Sequence, residues 1–174
     1  MILIKLLACG MIIIPSTIMG IMMGKKYSNR VNNITSIINC LLVLETEIIH
    51  LSNPINVAFK NVDEKGNNKI SCIFPNIVEI LNSNREMSLF RAFKKELIVN
   101  RTKYNFTKED EEIILSLAKV IGVTDKEEQK KHFNTVIQQL KIQRNQAIEE
   151  SKKNEKLYKK LGVIFGLLLI LILV

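Results

Sequence analysis

Two histidines, three cysteines and one run of four acids are the side chains of this sequence best suited to chemistry. His50 and His132 are far apart in the chain, each among apolar residues at helical spacing. No second histidine joins either at the short spacing of a metal-binding helix. Cys9, Cys40 and Cys72 follow one another at intervals of 31 and 32 residues. Those intervals match no zinc or redox motif, and an odd number of cysteines gives no disulfide framework. They read as buried, reduced thiols of a cytosol-facing domain. The run Glu109-Asp110-Glu111-Glu112 could gather around a cation, but a helix start explains it more simply, because carboxylates are favoured beside the free N–H groups of a first turn. The sequence has no phosphate-cradling glycine loop and no nucleophile motif. No catalytic, cofactor-binding or metal-ligating set is expected. The polar residues that stand out are Glu45, Glu47, Asp125 and Gln129. Asp125 and Gln129 either serve a helix start or fix a tight turn against a partner.

Charge is the next constraint. The 174 residues carry a formal net charge of +8, which raises the question of a nucleic-acid partner. Its location argues against one. Lys25, Lys26 and Arg30 follow an apolar stretch, residues 1–24, whose charged or hydroxylic side chains are Lys5, Ser16 and Thr17 alone. Lys152, Lys153, Lys156, Lys159 and Lys160 precede a second stretch, residues 161–174, with no polar side chain. These flanks, with Glu155 among them, account for seven of the eight net charges, and the rest of the chain nearly balances. Basic residues beside apolar segments follow the positive-inside rule rather than the pattern of a DNA-binding face.

Residues 1–24 lack a basic start and a small-residue cleavage site, so they read as an uncleaved anchor rather than a signal peptide. As a helix they would reach about 36 Å, enough for a hydrocarbon core of roughly 30 Å. The C-terminal fourteen reach only about 21 Å. Starting at Leu157 brings this to about 27 Å, with Lys159 and Lys160 snorkelling and Tyr158 at the interface. The expected organisation is an N-terminal transmembrane anchor (1–24), a cytoplasmic helical bundle (25–156) and a C-terminal transmembrane segment (157–174).

The bundle is all-α, with about six helices. Ile34, Ile37, Ile38, Leu41, Leu44, Ile48 and Leu51 mark one apolar face, widened by Leu42 and Ile49. This helix could continue unbroken from the anchor, in which Pro15 is tolerated. Pro54 restarts a helix that runs to about Val62. Residues 63–69 read as a turn, and another helix starts or kinks near Pro75 before Asn82-Ser83-Asn84 breaks it. Leu89, Phe90, Phe93, Leu97 and Ile98 give one helical face, with Arg91, Lys94, Lys95 and Glu96 mostly on the opposite, charged side. Residues 100–106 read as loop. Thr107 and Asp110 open the next helix, which ends at Gly122. Thr124 and Glu127 form a second capping box. From Asp125 nothing breaks the last helix, whose buried face is Phe133, Val136, Ile137, Leu140 and Ala147. Two function classes fit these features: a membrane-anchored adaptor, or a pore-forming or membrane-disrupting protein. The second is the weaker, because neither apolar stretch carries a polar stripe to line a water path.

Three stretches carry a resemblance. They are Leu44-Glu45-Thr46-Glu47-Ile48-Ile49 with Pro54 following, Ile121-Gly122-Val123-Thr124-Asp125 continuing through Gln129 to His132, and Lys153-Asn154-Glu155-Lys156-Leu157-Tyr158-Lys159-Lys160 running into the apolar tail. In this order the chain resembles the stage III sporulation protein AB family of spore-forming Firmicutes. The resemblance implies a bundle similar to the F-type platform protein of type II secretion and type IV pilus systems. It also implies a non-enzymatic subunit of a channel complex joining mother cell and forespore. That subunit would sit on the mother-cell side of the engulfing membrane. Its partners would be a cytoplasmic secretion-type ATPase and other membrane subunits, with self-association left open. Glu45, Glu47, Pro54, Gly122, Asp125 and Gln129 are then the candidate interface or structural residues.

Overall fold

A computed structural model describes residues 2–66, 68–84 and 86–173 of the chain, and every regular element among them is helical. Helix α1 spans Ile2–Glu45 with Pro15 inside it, so the first helix continues out of the apolar stretch as expected. It ends in a π-helical turn, Thr46–His50. The remaining helices are α2 (Ile55–Lys65), α3 (Asn68–Ser71), α4 (Ile73–Ser83), α5 (Leu89–Val99), α6 (Arg101–Tyr104), α7 (Lys108–Ala118) and α8 (Lys126–Leu173). Within this fold Met1–Val31 and Gln146–Val174 form one unit, and Asn32–Asn145 form the other.

The larger unit is built on the predicted apolar faces. Ile34, Ile37, Ile38, Leu41 and Leu44 are buried, as are Phe133, Val136, Ile137 and Leu140. Leu42 does not widen the first face, because it lies exposed on the far side of the helix. Helix α4 packs against α2 and α5, and α5 packs against α7. Three phenylalanines tie the first group together. Phe59 of α2, Phe74 of α4 and Phe93 of α5 meet edge to face, with ring centres 5.2 to 6.3 Å apart. That geometry places positive ring edges on negative ring faces and adds to the burial of area.

Several boundaries differ from the sequence expectation for local reasons. Pro75 lies in the first turn of α4, where its missing N–H costs no helical bond. The turn expected over 63–69 is shorter, since α2 runs to Lys65 and α3 starts at Asn68; Asn67 of that turn lies outside the described residues, as does Arg85. Gly66 is needed there by space. A Cβ on it would stand 2.6 Å from Ser71 Cβ and 2.7 Å from the Val62 carbonyl. The expected loop 100–106 contains α6, which ends at Asn105 with φ of 54°. The buried Tyr104 anchors it, and Asn33 Nδ2 donates to the Tyr104 carbonyl at 2.6 Å. Helix α7 stops at Ala118, four residues before Gly122, and the chain turns from there to Gly122 at φ of 77°.

The smaller unit is a pair of antiparallel helix ends. Ser16 Oγ donates to the Gly162 carbonyl at 2.6 Å, and Arg30 pairs with Glu150 at 2.9 Å. Between these points Tyr27 and Tyr158 stack with ring centres 5.8 Å apart. The close approach depends on glycine. A Cβ on Gly20 would stand 2.6 Å from the Tyr158 carbonyl, and one on Gly162 would stand 2.9 Å from that of Ser16. Among the described residues no helix is long and apolar enough to cross a membrane. The side chains of residues 1–10, 12, 13, 169 and 172–174, within the two expected anchors, lie outside those described.

Candidate functional site

The motif residues gather into two turns of the larger unit. At the first, Glu47 sits in the π-helical turn with its side chain 1% exposed. Its Oε2 accepts from Asn53 Nδ2 and Asn61 Nδ2, both at 2.7 Å, and its Oε1 pairs with Lys65 Nζ at 2.8 Å. Lys65, then Asn61 and Asn53, hold the carboxyl well below its ordinary range, at about 2. Three charge-assisted contacts on one acid fasten the end of α1 to α2 and the turn before it. Asn61 and Lys65 are four apart on α2 and so share a face. Glu45 is half-buried at the end of α1, and Pro54 is exposed at the start of α2. Ser52, between them, has φ of 54°, a left-handed conformation that is uncommon outside glycine.

At the second turn Gly122 takes φ of 77°, with nothing within 4 Å of where a Cβ would be. Its role is conformational freedom, not close approach. The expected capping box on Thr124 does not form. Asp125 caps α8 instead: its Oδ1 accepts from the Glu128 N–H at 2.9 Å, and its carbonyl accepts from the Gln129 N–H at 2.9 Å. Gln129 is buried and turns its Nε2 back onto the Thr124 carbonyl at 2.7 Å. Gln129 Oε1 and the Thr124 hydroxyl are buried with no hydrogen-bond partner among the described residues. Lys126 joins the two turns, donating from Nζ to Ser52 Oγ at 2.5 Å. Leu51 and Val123, one in each turn, are 57% and 79% exposed. The motif acids thus hold the turns, and apolar side chains face outward. Leu51 was expected on the buried face of the first helix and instead faces outward, and nothing in the sequence paired Ser52 with Lys126 or marked Val123 as outward, because only the fold brings residues 46–54 and 120–129 together.

A second polar cluster was also hidden. Glu96 was expected on the charged face of its helix but is buried. Its Oε1 accepts from Tyr104 Oη at 2.5 Å, Asn76 Nδ2 at 2.8 Å and Asn100 Nδ2 at 3.0 Å. Burial and the neighbouring Glu96 push the Tyr104 hydroxyl upward, so it stays a proton donor. Cys72 lies beside this cluster, with Lys103 Nζ 3.1 Å from its sulfur, and Cys40 is buried with its thiol pushed up to about 12. The side chain of Cys9 lies outside the described residues. The acidic run is accounted for at two positions. Asp110 completes the capping box with Thr107, and Glu111 accepts both arms of Arg101 at 2.7 and 2.5 Å. His50 is exposed and His132 half-buried. Among the described residues no group of three His, Cys, Asp or Glu side chains could hold a metal ion.

The basic residues read as membrane-flanking fall on the smaller unit. Lys25 and Lys26 are exposed on α1, and Lys152, Lys153, Lys156, Lys159 and Lys160 are exposed on α8. Gly24 approaches Glu155, so the two basic runs lie at the same level of the pair. Arg30 is instead buried in its ion pair with Glu150.

Comparison with known proteins agrees with this architecture. A curated relative, stage III sporulation protein AB of Bacillus subtilis (strain 168), is 28% identical over 169 residues, covering 97% of this chain and 98% of its own. A solved structure of a stage III sporulation protein AB superposes with a TM-score of 0.64 over 71% of this chain and 97% of that one; at 19% identity the likeness is one of fold. The family model described as stage III sporulation protein AB matches residues 5–174, and with that match the chain belongs to the stage III sporulation protein AB family.

Proposed function

We propose that the chain is a non-enzymatic membrane platform in a channel complex between mother cell and forespore. Its helical bundle faces the mother-cell cytoplasm, and the double turn around Ser52 and Lys126 docks a cytoplasmic secretion-type ATPase. The observation that carries the membrane part is the antiparallel pair of apolar helix ends with lysines at one level. Its outer faces present Met11, Ile14, Met19, Met22, Ile164 and Phe165 to the surroundings, an apolar surface that water does not favour. Small residues at the contact are the usual means by which helices pack in lipid, where burial of apolar area offers no gain. The apolar stretch of α1 is long enough in sequence, at about 36 Å. The shorter end of α8 inserts beside it, with Lys159 and Lys160 reaching back to the surface.

The docking part rests on the two turns. Buried groups fix them, while Leu51, Pro54 and Val123 stand outward. The test is capture of the ATPase from sporulating-cell membranes by the tagged full chain. Leu51→Asp with Val123→Asp should abolish capture while leaving the fold intact. Unchanged capture by that variant removes the turns from the interface, and no capture by the parent chain removes the ATPase as partner.

A further inference from the structure

Residues 91–108 hold six basic side chains against one acid, Glu96, and that acid is buried. The near-balance of charge across the bundle therefore hides a local excess from α5 to the first residue of α7. Beside it α5 and α7 enclose a groove of about 460 Å³. Phe90, Leu97, Ile98 and Leu115 contribute its apolar lining, and Ile98 is left 52% exposed. Arg101 and Glu111 bind each other in the groove and cancel. That leaves Lys94, Lys108 and Lys119 against Glu112, a net excess of positive charge around an apolar floor. Lys119 lies over the Phe90 ring, 5.2 Å from its centre, which keeps an ammonium beside the floor.

We propose that this groove receives an acidic amphipathic helix from a partner protein, at a surface separate from the double turn. Helix α5 has eleven residues, about 16 Å of length, which matches three turns of an occupant. Such a helix would lay apolar residues at i, i+3 or i+4, and i+7 onto Phe90, Ile98 and Leu115. Its carboxylates would meet Lys94, Lys108 and Lys119. A second copy of this chain fits poorly, because the apolar faces of its own helices α1 and α8 in the bundle are already buried. An anionic lipid surface would meet the lysines but could not follow the recessed floor.

The test uses the full chain in neutral phosphatidylcholine nanodiscs and a labelled fourteen-residue probe with leucines on one helical face and glutamates on the other. Fluorescence anisotropy should show binding of this probe and not of a scrambled peptide of the same composition. Ile98→Asp should weaken it about tenfold, the scale of an apolar anchor lost from an interface. Lys94→Glu with Lys108→Glu should weaken it similarly and gain affinity for a probe with lysine in place of glutamate. Ile98, Lys94 and Lys108 are solvent-facing, and unchanged thermal melting will confirm that the variants fold. Equal binding of the scrambled peptide, or indifference to both sets of substitutions, overturns the proposal. So does binding of phosphatidylserine vesicles that is lost in Lys94→Glu/Lys108→Glu when the helical probe does not bind.

Discussion

At the residue scale, Glu47 shows how a motif acid works through its neighbours. A carboxylate out of water is costly unless its oxygens are occupied, and here three side chains occupy them. Its carboxyl titrates at about 2 instead of 4.5. A lowered value in the folded state means that this stabilisation is complete above 4.5 and is lost as pH falls towards 2. Thermal melts of the full chain across that window should show a decline that flattens in Glu47→Gln; an identical decline in the variant would mean that other carboxylates set it. Gly122 gives a second prediction. With φ of 77° and open space around it, alanine there meets only backbone strain, about 1–2 kcal/mol. Urea unfolding checks this, and Gly122→Asn should lose less. The thiols give a third. Cys40 is buried with its thiol pushed up to about 12, whereas Cys72 is part-exposed. Under native conditions iodoacetamide should modify Cys72 well before Cys40, as read by peptide mass spectrometry.

At the scale of elements, the aromatic contact of α2, α4 and α5 is the most sensitive point of the bundle. Phe74 is fully buried between Phe59 and Phe93. Phe74→Ala should cost about 3–5 kcal/mol in urea unfolding, from lost burial and a cavity the neighbouring rings cannot close. The helices themselves were legible because their apolar residues recur every three or four positions. The faces of α1 and α8 that this spacing named in the bundle are the buried ones, except Leu42 and, past the end of α1, Leu51, both of which lie exposed. Boundaries were less legible where long-range contacts decide them. Helix α6 exists because Tyr104 finds a buried place and Asn33 bonds its carbonyl, and residues so far apart leave no local trace. The cap of α8 moved from Thr124 to Asp125 because either side chain satisfies the capping pattern, and the turn at Gly122 selects between them. Glu96 read as a surface charge because its three donors come from α4, the α5–α6 junction and the end of α6. In the candidate site, the sequence singled out the residues that hold the turns, but of those that face outward it named Pro54 alone as a candidate and read Leu51 as buried.

At the scale of the whole molecule, two predictions concern the membrane. The apolar helix pair depends on the absence of side chains at Gly20 and Gly162. Gly20→Leu should separate the ends, and spin labels at Lys26 and Lys156 in nanodiscs should then report a longer and broader distance than in the parent chain. In the proposed orientation the lysines that collar the pair lie on the cytoplasmic side, the side that basic flanks favour. Lys60 is exposed on α2, within the bundle assigned to that side. In cells expressing the full chain with Lys60→Cys and Cys72→Ser, a membrane-impermeant maleimide should leave residue 60 unlabelled until the membrane is opened. Labelling in intact cells, at the rate seen after lysis, would place the bundle on the other side and contradict the platform role.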